Sequence, residues 1–116
     1  MSGLELYEEL SRLLEALRDA VPELRTLGID MAKKEAKYKV ALMQMSLRLR
    51  DQGMPATLIN QVVYGYVADE RQQRDVAEVL YKTQQEAING MKLRAKILEA
   101  QIEREWSQNG RMGQGI

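Results

Sequence analysis

The chain contains no cysteine, no histidine and no phenylalanine. Without cysteine there is no disulfide framework and no thiolate chemistry. Without histidine the commonest general base and the commonest metal ligand are both missing. Only two prolines interrupt the 116 residues, and the aromatic side chains are five tyrosines and one tryptophan. Neither sign of charge prevails, because 17 basic residues balance 17 acidic ones. A free-standing DNA-binding module usually carries a basic excess, so the balance argues against one. No apolar run approaches the roughly 20 residues needed to cross a bilayer. The acidic start "MSGLELYEEL" lacks the basic and then apolar pattern of a signal peptide. A cytoplasmic protein with no membrane contact is therefore expected.

What is present is helix material. Leu, Ala, Val, Ile and Met supply most of the apolar side chains, and seven methionines suit adaptable packing surfaces. Leu6, Leu10, Leu13, Leu14 and Leu17 recur at helical spacing and predict a first helix over 3–20. Pro22 lacks an amide donor and is expected to end or kink it near Val21. A second helix is predicted over 23–51, with a seam of Leu24, Leu27, Met31, Tyr38, Leu42, Met45 and Leu49. Lys34 or Glu35 fills the gap in that seam. Val40, Met43 and Leu47 form another apolar face on the same helix, so this stretch is expected to be buried on two sides. Gly53 stands where a helix-ending glycine belongs, and Pro55 suits the start of a short helix over 55–64, stopped at Gly65. Asp69 caps a predicted third helix over 69–106. Its expected stripe is Val76, Leu80, Thr83, Ala87, Met91, Ala95, Leu98, Ile102 and Trp106, with little supercoil. The glycine-rich 107–116 is expected to be a flexible tail.

These elements predict an all-α fold with one domain over 1–106. It is a long antiparallel helical hairpin with a short helix at its tip and the N-terminal helix packed alongside, an elongated three-helix bundle. With the connection centred near residue 60, Arg48 and Arg50 would face Asp69 and Glu70. Arg71, Arg74 and Asp75 would join them in a salt-bridged collar. One layer of side chains leaves apolar flanks, so a homodimer through Val40, Met43 and Leu47 is expected.

Catalytic signals are missing. There is no P-loop, dinucleotide fingerprint, HExxH or nucleophile elbow. Glu99 and Glu103 share a helix face beside Lys96 and Arg104, which reads as a solvated surface and not a metal site. Neither an enzyme nor a bound cofactor is expected. Lys33, Lys34, Lys37 and Lys39 make the strongest local positive charge and are the candidate contacts to nucleic-acid phosphates. A solvated face balancing the acidic first helix is the favoured reading of them. The segment "RLRDQGMPATLINQVVYGY" has the outline of a helix-turn-helix, with Thr57, Asn60 and Gln61 on its second helix. That helix is apolar and has no Lys or Arg, so it reads better as a lid over the hairpin end. Tyr64 and Tyr66, with Arg71 and Arg74, are the candidate partner-binding residues.

The motifs "AKYKVAL", "LRLRDQGMPATLI", "RDVAEVLYKTQQEAIN" and "LEAQIEREW" resemble a family of small helical proteins encoded by phages and prophages of Gram-positive bacteria. The resemblance spans about residues 32–106. The family's acidic, glycine-containing link reads "VVYGYVADE" here. The resemblance implies a phage protein in a bacterial cytoplasm, from among early genes for recombination, single-strand binding and replication. It brings no catalytic residue. The expected function is a non-enzymatic accessory to phage DNA recombination or replication, acting through a phage or host protein, or less favourably through single-stranded DNA. An alternative is an anti-defence protein that inhibits a host immune complex such as a CRISPR effector, or sequesters its nucleotide signal. A third is a structural or assembly factor.

Overall fold

The computed structural model describes residues 2–114, and side chains over 2–108. Three α-helices account for nearly all of it: α1 (Gly3–Asp51), α2 (Ala56–Tyr66) and α3 (Ala68–Gln114). No strand occurs among the described residues. The all-helical hairpin with a short helix after its turn is the one that the periodicity predicts, with three helices where four were expected.

The boundaries differ in instructive ways. Pro22 ends nothing, and residues 3–51 form a single helix with the proline inside it. A proline in a helix interior costs about 3 kcal/mol. Here the ring sits on the exposed face, while Leu17, Ala20 and Leu24 continue the buried side in phase across it. Gln84 also donates to the Ala20 carbonyl, two residues before the proline, at 3.3 Å. Residues 3–20 are thus the opening of α1, not a separate helix. The helix begins with a reciprocal cap that the sequence reading missed. The Ser2 amide donates to Glu5 Oε2 at 3.3 Å, and the Glu5 amide donates to Ser2 Oγ at 3.2 Å. At the other end, α3 carries its helix through 107–114, where a loose tail was expected. Gly110 and Gly113 weaken a helix without breaking it. Residues 115 and 116 lie outside the described residues.

The turn after α1 follows the expected chemistry. Gly53 has φ +86, the left-handed conformation that a side chain resists. Its amide donates to the Arg50 carbonyl at 2.9 Å, and the Met54 amide donates to Leu49 at 3.1 Å. These two bonds make a Schellman closure, with Met54 packed near Leu49 as its apolar contact. Pro55 is the residue before α2, and its carbonyl accepts from the Leu58 and Ile59 amides.

Residues Arg25–Thr83 form one compact unit. In it α2 runs back along α1 and is not a lid across its end. Leu49, Ile59 and Val63 are buried together, with Leu42, Met45, Met54 and Val62 against them. Gly65 lies inside α2 and stops nothing. The Val67 amide donates to Val63, and the Arg71 amide donates to Val67, so helical bonding runs on across the single-residue link into α3. Asp69 consequently sits in the first turn of α3 and not at a cap. Because α2 uses up part of the return path, the pairing centre is the 52–55 turn and not residue 60. Arg74 therefore meets Glu35 and Tyr38, where the expected register would have placed Ser46.

The opening of α1 up to Leu24 and α3 from Gln84 onward form the second compact unit. Its segments are antiparallel too. Arg94 donates to Glu9 Oε1 at 2.6 Å, and Gln84 reaches Ala20 and Glu23. Leu6, Ala20, Ile88, Ala95 and Leu98 are its buried side chains, and Leu98 is 0% exposed.

The buried side of α3 is Val67, Glu70, Arg74, Ala77, Tyr81, Gln84, Ile88, Met91, Ala95, Leu98, Ile102 and Glu105. These positions alternate three and four apart without a break, the 3.5-residue period of a left-handed coiled coil. The expected stripe shared Met91, Ala95, Leu98 and Ile102 but was out of phase before them. Val76, Leu80, Ala87 and Trp106 are exposed. The true seam was hidden because it contains Glu70, Arg74, Gln84 and Glu105, which a search for apolar residues passes over.

Candidate interaction surfaces

Arg74 is a polar side chain in the seam that finds partners on both helices. Its guanidinium lies 4.4 Å from the centre of the Tyr38 ring. It donates from Nε and Nη2 to Asp75 Oδ1, at 3.1 and 2.9 Å, and stands 3.6 Å from Glu35. The Asp75 hydrogen bonds raise its already high pKa further. Its hydrogen bonds to Asp75 lie within α3, and its contacts with Glu35 and Tyr38 reach across to α1. The rest of the expected collar does not form. Among the described residues, Arg48, Arg50, Asp69 and Glu70 make no ion pair.

Three of the four lysines have a polar neighbour within about 4 Å. Lys34 stands 3.9 Å from Asp30, Lys39 stands 3.5 Å from Glu35, and Lys37 donates to Gln73 at 3.3 Å. Lys33 has no such partner among the described residues. Carboxylates interleaved with these lysines cancel much of the field that would gather phosphates. On α2, Thr57, Asn60 and Gln61 are exposed, with no basic residue beside them on that helix.

Among the described residues, apolar side chains are exposed on both long helices. On α1, Val40, Met43 and Leu47 are all about half exposed. They point half a turn away from the seam residues Tyr38, Met45 and Leu49. On α3, Val76, Val79 and Leu80 are exposed, with Val79 at 62%. They form part of a groove of about 430 Å³ whose other walls include Tyr64, Ala68 and Arg71. Tyr64 and Tyr66 are both exposed, and the Arg71 guanidinium lies 5.8 Å from the Tyr64 ring centre. In the other unit, Leu4, Tyr7 and Trp106 surround an open groove of about 380 Å³ with Gly3, Ile102 and Glu105. Trp106 is 75% exposed, the highest value among the large apolar side chains. Sequence reasoning missed this surface because it had placed Trp106 in the buried stripe. The signal available was the pair of aromatics, Tyr7 and Trp106, near the two ends of an antiparallel pair.

Nothing among the described residues suggests an active centre. No group of three or more carboxylates is gathered to hold a metal. No described helix is long and apolar enough to cross a membrane. No protein-family model, no curated protein and no solved structure matches the chain.

Proposed function

We propose that this chain is a non-enzymatic binding protein that grips a protein partner through the aromatic groove of Leu4, Tyr7 and Trp106. The observation that carries the reading is the exposure of Trp106 and Tyr7 side by side along a concave apolar surface. Tryptophan and tyrosine dominate binding energy at interfaces, because they bury large areas at low entropy cost. A tryptophan held three-quarters in water on a chain with a single tryptophan is poorly explained by folding alone. The setting implied by the family resemblance, an accessory to phage DNA recombination or replication, is part of this proposal. Protein contact is favoured over single-stranded DNA, because the chain has no basic excess and Lys34 and Lys39 stand beside carboxylates.

The test is affinity capture from infected cells with the wild type, Trp106→Ala and Tyr7→Ala. A specific partner that the wild type retains and both variants lose is the expected result. Equal capture by all three removes the aromatic groove from the mechanism. A second reading, inhibition of a host immune complex, draws on the exposed Tyr64 and Tyr66 beside Arg71. It predicts that phage plating on defence-carrying hosts depends on those tyrosines.

A further inference from the structure

The chain already shows how it accommodates a guanidinium. Arg74 lies 4.4 Å from the centre of the Tyr38 ring and 3.6 Å from the Glu35 carboxylate. The ring face attracts the cation, and a carboxylate takes its N–H groups. Arg71 repeats the ring half of this arrangement over Tyr64. The groove of Leu4, Tyr7 and Trp106 holds the same two parts, rings and the Glu105 carboxylate. Among the described residues no Arg or Lys stands over Tyr7 or Trp106, and Glu105 makes neither an ion pair nor a hydrogen bond. The stem of Glu105 is packed in place. A carbon added at Gly3 would meet Glu105 Cγ at 3.3 Å, so the stem lies against the start of the α1 backbone.

Acidic side chains prevail around this groove. Within four residues of Tyr7 the charged side chains are Glu5, Glu8 and Glu9, and within four of Trp106 they are Glu103, Arg104 and Glu105. Glu5 accepts from the Ser2 amide, and Glu9 is held by Arg94. Arg104 borders a different hollow with Leu6 and Arg94. Glu105 lines that hollow as well as the groove, yet no ion pair joins it to Arg104. The next basic residue back along α3 is Lys96, about 15 Å from Trp106 along the helix axis.

We infer that the group this groove takes from its protein partner is an arginine side chain. Its guanidinium lies against the Tyr7 and Trp106 rings and donates to Glu105, while Leu4 and Ile102 cover its methylene stem. Arginine suits the groove better than lysine. Its plane stacks on a ring while its fork grips a carboxylate, whereas an ammonium is a compact and more strongly hydrated charge. An acidic side chain would face Glu103 and Glu105. A nucleobase would stack on the same rings, but its phosphate would meet those carboxylates. The inference rests on the partner-binding reading of this groove and names what the groove recognises.

The only tryptophan gives a single indole N–H resonance, so Trp106 reports on its own groove. The probes are blocked alanine pentapeptides with arginine, citrulline, lysine or glutamate at the centre, and guanosine monophosphate. Citrulline keeps arginine's shape without its charge. The arginine peptide is expected to shift the indole resonance saturably, and the citrulline peptide to bind about fivefold more weakly. Glu105→Gln, which keeps the side chain's length, is expected to lose most of that preference. Tyr7→Leu is expected to weaken the arginine peptide by about fivefold. Circular dichroism checks that both variants fold, and the comparison of arginine with citrulline needs neither. Equal binding of those two peptides overturns the inference, and so does an arginine peptide that does not bind. Tighter binding of the lysine peptide, the glutamate peptide or guanosine monophosphate does the same, as does a preference that survives Glu105→Gln. Affinity capture separates this inference from the reading beneath it. A partner lost by Trp106→Ala but kept by Glu105→Gln overturns the arginine alone. Capture indifferent to Trp106→Ala and Tyr7→Ala overturns the groove reading and the arginine with it.

Discussion

The inner and outer faces of α3 teach opposite lessons about hydropathy. Between Val67 and Tyr81 the inner face includes Glu70 and Arg74, yet it is the side that packs. The outer face offers Val76, Val79 and Leu80, yet it stands in water. Burial in a two-helix pairing follows the phase that both helices can sustain together. A few polar residues do not spoil a seam if, like Arg74, they find a ring and two carboxylates there. A few apolar residues do not make a seam if no helix faces them.

The sharpest way to break that comparison is to truncate a residue on each face. Leu98→Ala removes a wholly buried side chain and should cost about 2–5 kcal/mol in denaturant titration. A cost below about 1 kcal/mol would mean that the inner seam is not the core. Gly53→Ala comes next. At φ +86 an alanine pays about 1–2 kcal/mol, and the midpoint of thermal unfolding should fall accordingly. Gly90→Ala runs the other way. Nothing lies within 4 Å of a side chain added there, so helix propensity alone should stabilise by about 0.5–1 kcal/mol. Gly28 contrasts with it, because an added carbon there would meet the Tyr81 ring at 3.2 Å. The smallest effect belongs to the outer face: Val79→Ala should change stability by under about 0.5 kcal/mol. A loss of several kcal/mol would put Val79 in the core after all.

Much of the fold was legible. The α1 seam from Leu24 to Leu49 and the glycine closure at Gly53 were readable from spacing and residue type, whereas the face of Val40, Met43 and Leu47, expected to be buried, is about half exposed. Three further things were not legible. Pro22 carries a penalty that local rules register, but they do not register the packing and the Gln84 hydrogen bond beside it. The phase of α3 was hidden by polar seam residues, of which Arg74 meets Glu35 and Gln84 meets Ala20 and Glu23, all far away in sequence. The register was misjudged because Gly65 and Asp69 look like punctuation. Helical bonding through Val67 instead leaves Gly65 in the last turn of α2 and Asp69 in the first turn of α3. The candidate surfaces followed the same pattern. Tyr64 and Tyr66 were legible as exposed tyrosines, whereas Tyr7 and Trp106 become neighbours only once the chain has doubled back.

The Schellman turn at Gly53 also sets an order of events. Leu49 and Ile59 are close in sequence, so their contact closes a short loop at little entropic cost. Each later pair closes only slightly more chain than the pair before it. Glu9 and Arg94, 85 residues apart, would close a far longer loop if they met first. The hairpin should thus zip from 52–55 outward, fast for its length. Its only tryptophan, in the last stretch to pair, should report the final step of folding and the first step of fraying.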